Sequence, residues 1–122
     1  NMDELVEQLA AKAGIDKAVA EKTVGIMLGF LRKEGPSDKV EVLIDGIPGA
    51  ARAVEASRNS AGLSALMGGG LMAVGSRLMG LGLGIDEIQN VARELVRFGG
   101  DRIGAEQMSD IIAGTPGLSQ FS

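Results

Sequence analysis

Apolar residues recur along this chain at helical spacing, in short runs that glycine, proline and capping residues cut apart. Leu5, Val6, Leu9, Ala10 and Ala13 fall on one face of a helix that Asp3 can cap and Gly14 can stop. Asp16 opens a second helix in which Val19, Thr23, Val24, Met27, Leu28 and Leu31 share a face, with Phe30 beside them; Gly35 and Pro36 end it. Ser37 or Asp38 caps a third, short helix through Asp45 that buries Val40, Leu43, Ile44 and Ile47. The run Val40-Glu41-Val42-Leu43-Ile44 would also suit a strand, but the capping residues and Gly46 favour a helix and no partner strand exists. Pro48 suits the first turn of a fourth helix, 49–58, with Arg52 and Glu55 three apart on a solvated face.

The stretch 63–85 breaks this alternation. Apart from two serines, Arg77 is its only polar side chain. A short helical turn is expected at 63–67, a hinge or close-approach site at Gly68-Gly69-Gly70, and a helix apolar nearly all round at 71–81. A helix of that kind is buried, faces lipid or lies in a subunit interface. Its glycines each lower helix propensity by about 1 kcal/mol relative to Ala, so its neighbours should hold it in place. The pattern then returns. Asp86 caps an amphipathic helix with Ile88, Val91, Ala92, Leu95 and Val96 inward, which Gly99-Gly100 should stop. A last helix, 105–113, buries Met108, Ile111 and Ile112, and Phe121 returns to the core.

The fold expected is all-α: a single domain, 1–122, of about six to eight short helices packed around the central apolar, Gly-rich helix 71–81. Two signals repeat within it. Gly14-Ile15-Asp16 returns as Gly84-Ile85-Asp86, and Gly46-Ile47-Pro48-Gly49 as Gly114-Thr115-Pro116-Gly117, at offsets of 70 and 68. They suggest a duplicated helical hairpin with halves at 3–58 and 71–122, although both motifs also serve as ordinary helix punctuation.

Composition narrows the chemistry. The chain has no Cys, His, Trp or Tyr, which removes thiolate chemistry, the usual proton-transfer side chain and the commonest transition-metal ligand. A net charge of −4 and three phenylalanines as the only aromatics argue against nucleic acid, which needs a positive face and stacking platforms. Glycine, at 19 residues, is about twice its average share, which suggests Gly-terminated helices or close backbone contacts. Asn1 before Met2 reads as a residue left over from expression. With Met2 as the native start and no basic, apolar leader, the expected location is cytoplasmic.

The pattern resembles a group of small bacterial helical domains of unknown function, the VcgC/VcgE-like proteins. The residues that carry the likeness are Ala13-Gly14-Ile15, Val24-Gly25-Ile26-Met27-Leu28-Gly29-Phe30-Leu31, Ile47-Pro48-Gly49-Ala50 and Ile112-Ala113-Gly114-Thr115-Pro116-Gly117-Leu118. The resemblance implies an all-helical fold and carries over no catalytic residue.

Gly80-Leu81-Gly82-Leu83-Gly84 lacks the preceding strand and the glycine spacing of a dinucleotide site, so it reads as a helix-joining loop. Arg77 must reach water, pair with a carboxylate or meet an anionic head. Glu4, Glu7, Asp38, Glu41, Asp45, Glu106 and Asp110 lie on caps and solvated faces, with no spacing that demands a catalytic pair or a metal loop. Arg77 and the glycines weaken a membrane-spanning reading of the central segment. The candidate interaction or ligand surface is therefore Met67, Leu71, Met72, Val74, Arg77, Leu78 and Met79. The function expected is that of a non-enzymatic interaction protein, without cofactor or metal, that forms a homo-oligomer through apolar helix faces. The alternatives are a binder of a small apolar ligand or lipid with Arg77 at the pocket mouth, and, less favoured, a carboxylate-dependent enzyme.

Overall fold

A computed structural model of the chain describes residues 1–59 and 70–118. The turn expected at 63–67, Met67 itself, the first two glycines of the hinge and Phe121 lie outside the described residues. The architecture is all-α. Among the described residues seven helices pack as a bundle: α1 (Met2–Ala13), α2 (Lys17–Glu34), α3 (Ser37–Asp45), α4 (Ala50–Asn59), α5 (Leu71–Gly80), α6 (Ile85–Ile103) and α7 (Ala105–Ala113). The ambiguous third segment is helical, and Val40, Leu43, Ile44 and Ile47 are buried as its spacing requires.

Helix starts depart from the expected caps. Asn1, not Asp3, caps α1: its Oδ1 accepts the Glu4 N–H at 3.0 Å, and Asp3 lies in the first turn. Asp86 likewise sits inside the first turn of α6, while the Gly84 N–H donates to Glu87 Oε1 at 2.7 Å. Both carboxylates still favour the helix dipole from there. Nor do Gly99 and Gly100 stop α6, which runs on to Ile103. Gly99 is instead a site of close packing. A Cβ there would lie 2.6 Å from Met108 Sδ and 3.1 Å from Leu43 Cδ1, so its absence lets α7 and α3 close on α6. On α4, Glu55 pairs with Arg58 (3.2 Å) and with Arg32 of α2 (3.6 Å) rather than with Arg52.

The helix at the centre is α2, not 71–81. It packs against α1, α3, α4 and α5, and it buries Ala20, Val24, Ile26, Leu28, Phe30 and Leu31. Thr23, buried among them, satisfies its hydroxyl by donating to the Val19 carbonyl at 2.8 Å. By contrast α5 buries only Leu78 completely. The reason is placement: α2 is covered by four helices, whereas α5 packs mainly on α2 and α6 and leaves Met72 and Met79 in solvent.

The contact between α2 and α4 is the closest in the bundle. A Cβ on Gly25 would collide with the carbonyl of Ala53, and one on Gly29 would come within 3.3 Å of Ser57 Oγ. The Ser57 hydroxyl lies 3.1 Å from the Gly25 carbonyl oxygen and 2.7 Å from that of Val54, so it is satisfied inside the contact.

Geometry repeats at a constant spacing of 68 positions. Gly14 and Gly82 both close their helices with positive φ (70° and 97°), and Ile15 N and Leu83 N bond back to the Ala10 and Leu78 carbonyls, each at 3.2 Å. Phe30 and Phe98 are both buried. α3 and α7 have nine residues each. After them Gly46 N and Gly114 N bond to Val42 O and Asp110 O, Ile47 N and Thr115 N to Ile44 O and Ile112 O, and Ala50 N and Leu118 N to Ile47 O and Thr115 O. Gly49 and Gly117 then take φ of 96° and 90°. The packing is crosswise: α1 lies on α2 and α6, and α5 lies on α6 and α2. The Gly-Ile-Asp motif, 70 positions apart, is out of this register. The structural counterpart of Gly14 is Gly82, because Gly84 already serves as the N-cap of α6.

Two alanine substitutions should separate close packing from propensity. Gly25→Ala gains helix propensity but must displace the α4 backbone, so it should lose about 1–3 kcal/mol in urea denaturation. Gly100→Ala, whose Cβ would meet nothing nearer than 3.8 Å, should gain about 0.5–1 kcal/mol in the same measurement.

Candidate functional site

Six of the seven sequence-selected residues lie on α5, and its orientation sorts them into two groups. Leu78 is fully buried, and Leu71 and Val74 pack partly buried against the core. On the other side Met72 is 87% exposed and Met79 52%, values that no other methionine among the described residues approaches. The candidate surface is therefore two faces: one that anchors the helix and one turned to solvent.

Arg77 belongs to the anchoring face. Its Nη2 donates to the Ser57 carbonyl at 2.7 Å. Ser57 stands in the last turn of α4, toward the negative end of the helix dipole. A guanidinium there complements that dipole and ties α5 to α4. Partial burial lowers the Arg77 pKa by desolvation, yet an arginine starts so high that it keeps its charge at neutral pH. Pairing with a helix end was not among the partners weighed for Arg77 from the sequence, because nothing in the spacing of Ser57 and Arg77 shows that the two helices meet.

The outward face reads Met72, Gly75, Ser76, Met79 and Gly80, spaced i, i+3, i+4, i+7 and i+8. Gly75 is half-buried, but a Cβ placed on it would meet nothing within 4 Å, and the same holds at Gly80. Sequence reading singled out the methionines and passed over the small residues between them. A helical-wheel projection that keeps residue volume would have shown the alternation. Just beyond α5, Ile85 is also exposed.

The remaining polar groups do not converge on α5. Glu4 pairs with Arg102 at 2.7 Å, Glu7 with Lys17 at 3.7 Å, and Asp110 with Lys39, all on the surface. Arg102 also lies 4.8 Å over the Phe98 ring. Among the described residues no group of three or more Asp or Glu is placed to hold a metal ion, and no helix is long and apolar enough to cross a membrane. The loop after α5 holds no phosphate cradle: Gly82 closes α5, Leu83 is buried, and the Gly84 N–H is taken by Glu87.

Comparison with known proteins finds no matching family model, no similar curated protein and no similar solved structure. What the site offers is a short helix, charge-anchored from behind, that holds two methionines and a small-residue saddle toward solvent.

Removing the anchor should loosen α4 and α5 together. Arg77→Gln should lower stability by about 1–2 kcal/mol, the range for a hydrogen bond to a charged group that is partly solvated. Amide exchange should accelerate in the last turn of α4, while amides of α1 and α3 remain as protected as before.

Proposed function

We propose that this chain is a non-enzymatic helical interaction protein that self-associates through the outward face of α5. The observation that carries the reading is the exposure of Met72 and Met79 on a helix whose opposite face is locked in place. Soluble folds tolerate scattered apolar residues at the surface, but methionines aligned on one face form an adaptable apolar contact surface.

The chain supplies its own comparator. Sixty-eight positions earlier, at equivalent places on α1 and at the start of α2, stand Glu4, Ala11 and Lys17 where α5 and α6 carry Met72, Met79 and Ile85. All six are exposed. The bundle thus accommodates charge at two of these three places, and packing within the chain does not require apolar groups there. Engagement of the Arg77 guanidinium by Ser57 favours this reading over an anionic ligand at that residue.

Light scattering over a concentration series tests the reading. The wild-type mass should rise above the 12.5 kDa of one chain as concentration increases. Met72→Glu/Met79→Glu should remain at the monomer mass with unchanged helical content. A wild-type protein that stays at the monomer mass throughout overturns the reading.

A further inference from the structure

We infer that the contact is a two-fold pairing of α5 with α5 of a second copy, antiparallel and crossing at Gly75 and Ser76. The inference rests on the self-association reading and adds a geometry to it. Its starting point is the order of the outward residues. Around a midpoint between Gly75 and Ser76, Met72 and Met79 stand at equal distances, so the face reads large, small, small, large from either end. A two-fold axis through that midpoint makes the surface its own complement, as an isologous interface demands. Each Met72 then faces the partner's Met79. The two methionine ridges, about 10 Å apart along the helix at 1.5 Å per residue, flank a saddle that lets the backbones approach.

Gly75 supplies a second and separate observation. It lies inside a helix, where glycine costs about 1 kcal/mol relative to alanine. Its φ is not positive and nothing among the described residues lies within 4 Å of where its Cβ would be. Gly25 and Gly99 are each explained by a neighbour that a Cβ would strike, whereas Gly75 has none among the described residues. A backbone approaching from outside explains it in the same way.

Charge points to a copy of this chain as the partner. Each copy carries a net −4, so copies repel at most approaches. Among the described helices α5 is the one without Asp or Glu. Its counterpart stripe on α1, Glu4, Glu7, Gln8 and Ala11, would bring four carboxylates, two from each copy, into one contact in the same two-fold arrangement. The α5 face is where two such chains can meet without that repulsion. The helix is only ten residues long, so the contact is small and the dimer should be weak and concentration-dependent.

The chain has no cysteine, which makes cross-linking decisive. Ser76→Cys, near the axis, should form disulfide-linked dimers under mild oxidation far more readily than Ala11→Cys, an exposed position off the contact. A mixture of Met72→Cys and Met79→Cys chains should yield mainly the mixed dimer. Gly75→Leu should hold or raise the thermal stability of the dilute monomer, since its place is open and leucine favours the helix. The same variant should weaken association about tenfold or more by overfilling the saddle. If wild-type dimers form but Ser76→Cys links no faster than Ala11→Cys, the two-fold geometry is overturned while self-association stands. If no dimer forms at any concentration, both fall. If Gly75→Leu destabilises the dilute monomer, the glycine serves the fold and the inference loses its second support.

Discussion

The approach of α4 to α2 sets the outer side of this bundle. At Gly25 the backbone of α4 comes so near that the Ala53 carbonyl occupies the place of a side chain, and the Ser57 hydroxyl sits within hydrogen-bond distance of carbonyls from both helices. This contact fixes where α4 ends. The carbonyl of Ser57 then receives the Arg77 guanidinium, and Arg77 seats α5. Because Leu78 follows Arg77 on the inner face and is fully buried, Met72 and Met79 are left on the outer one. Two glycines in the middle of α2 thus govern the orientation of a helix that begins more than forty residues later in the chain.

Most of the helices were legible because their ends are written locally. Gly14 ends α1 at positive φ, Gly35 is followed at once by Pro36, and Gly46 and Gly114 close α3 and α7 with ordinary negative φ two residues before a proline. Spacing alone found most of the buried residues of α1, α2, α3 and α7, but it passed over Met2, Ala20 and Ile26, and Val19, Met27 and Ile112 are only partly buried. Contacts between distant segments were less legible. Glycine has two uses that look alike in one dimension, and only packing tells them apart: Gly99 and Gly25 admit a neighbour, whereas Gly14 turns the chain. The register of the two halves was half legible for the same reason. Gly-x-Pro-Gly marks it correctly, while Gly-Ile-Asp recurs two positions out of step.

The central segment shows the same limit in another form. Apolarity all round a helix says that water is disfavoured near it, but not whether a core or a partner replaces that water. The residues of α5 answer in two ways at once. Leu78 is enclosed, and Met72 is almost wholly bare. Arg77, the one charge in the segment, was singled out for the right physical reason: a charge among apolar groups needs a partner. One partner is the Ser57 carbonyl near the end of α4, which becomes a partner only when the fold brings the two helices together.

The methionines differ in one further respect. Met108 is sealed where α7 crosses Gly99, and Met2 is buried under the turn at Gly49. Met72 and Met79 face solvent. Of the described methionines an oxidant would reach the outer pair first and convert each thioether to a polar sulfoxide, so the greasy character of α5 would be lost while the interior remained intact. Reductive repair of those two sulfurs would restore it. The most exposed of the described methionines are thus also the ones most easily, and most reversibly, altered by oxidative stress.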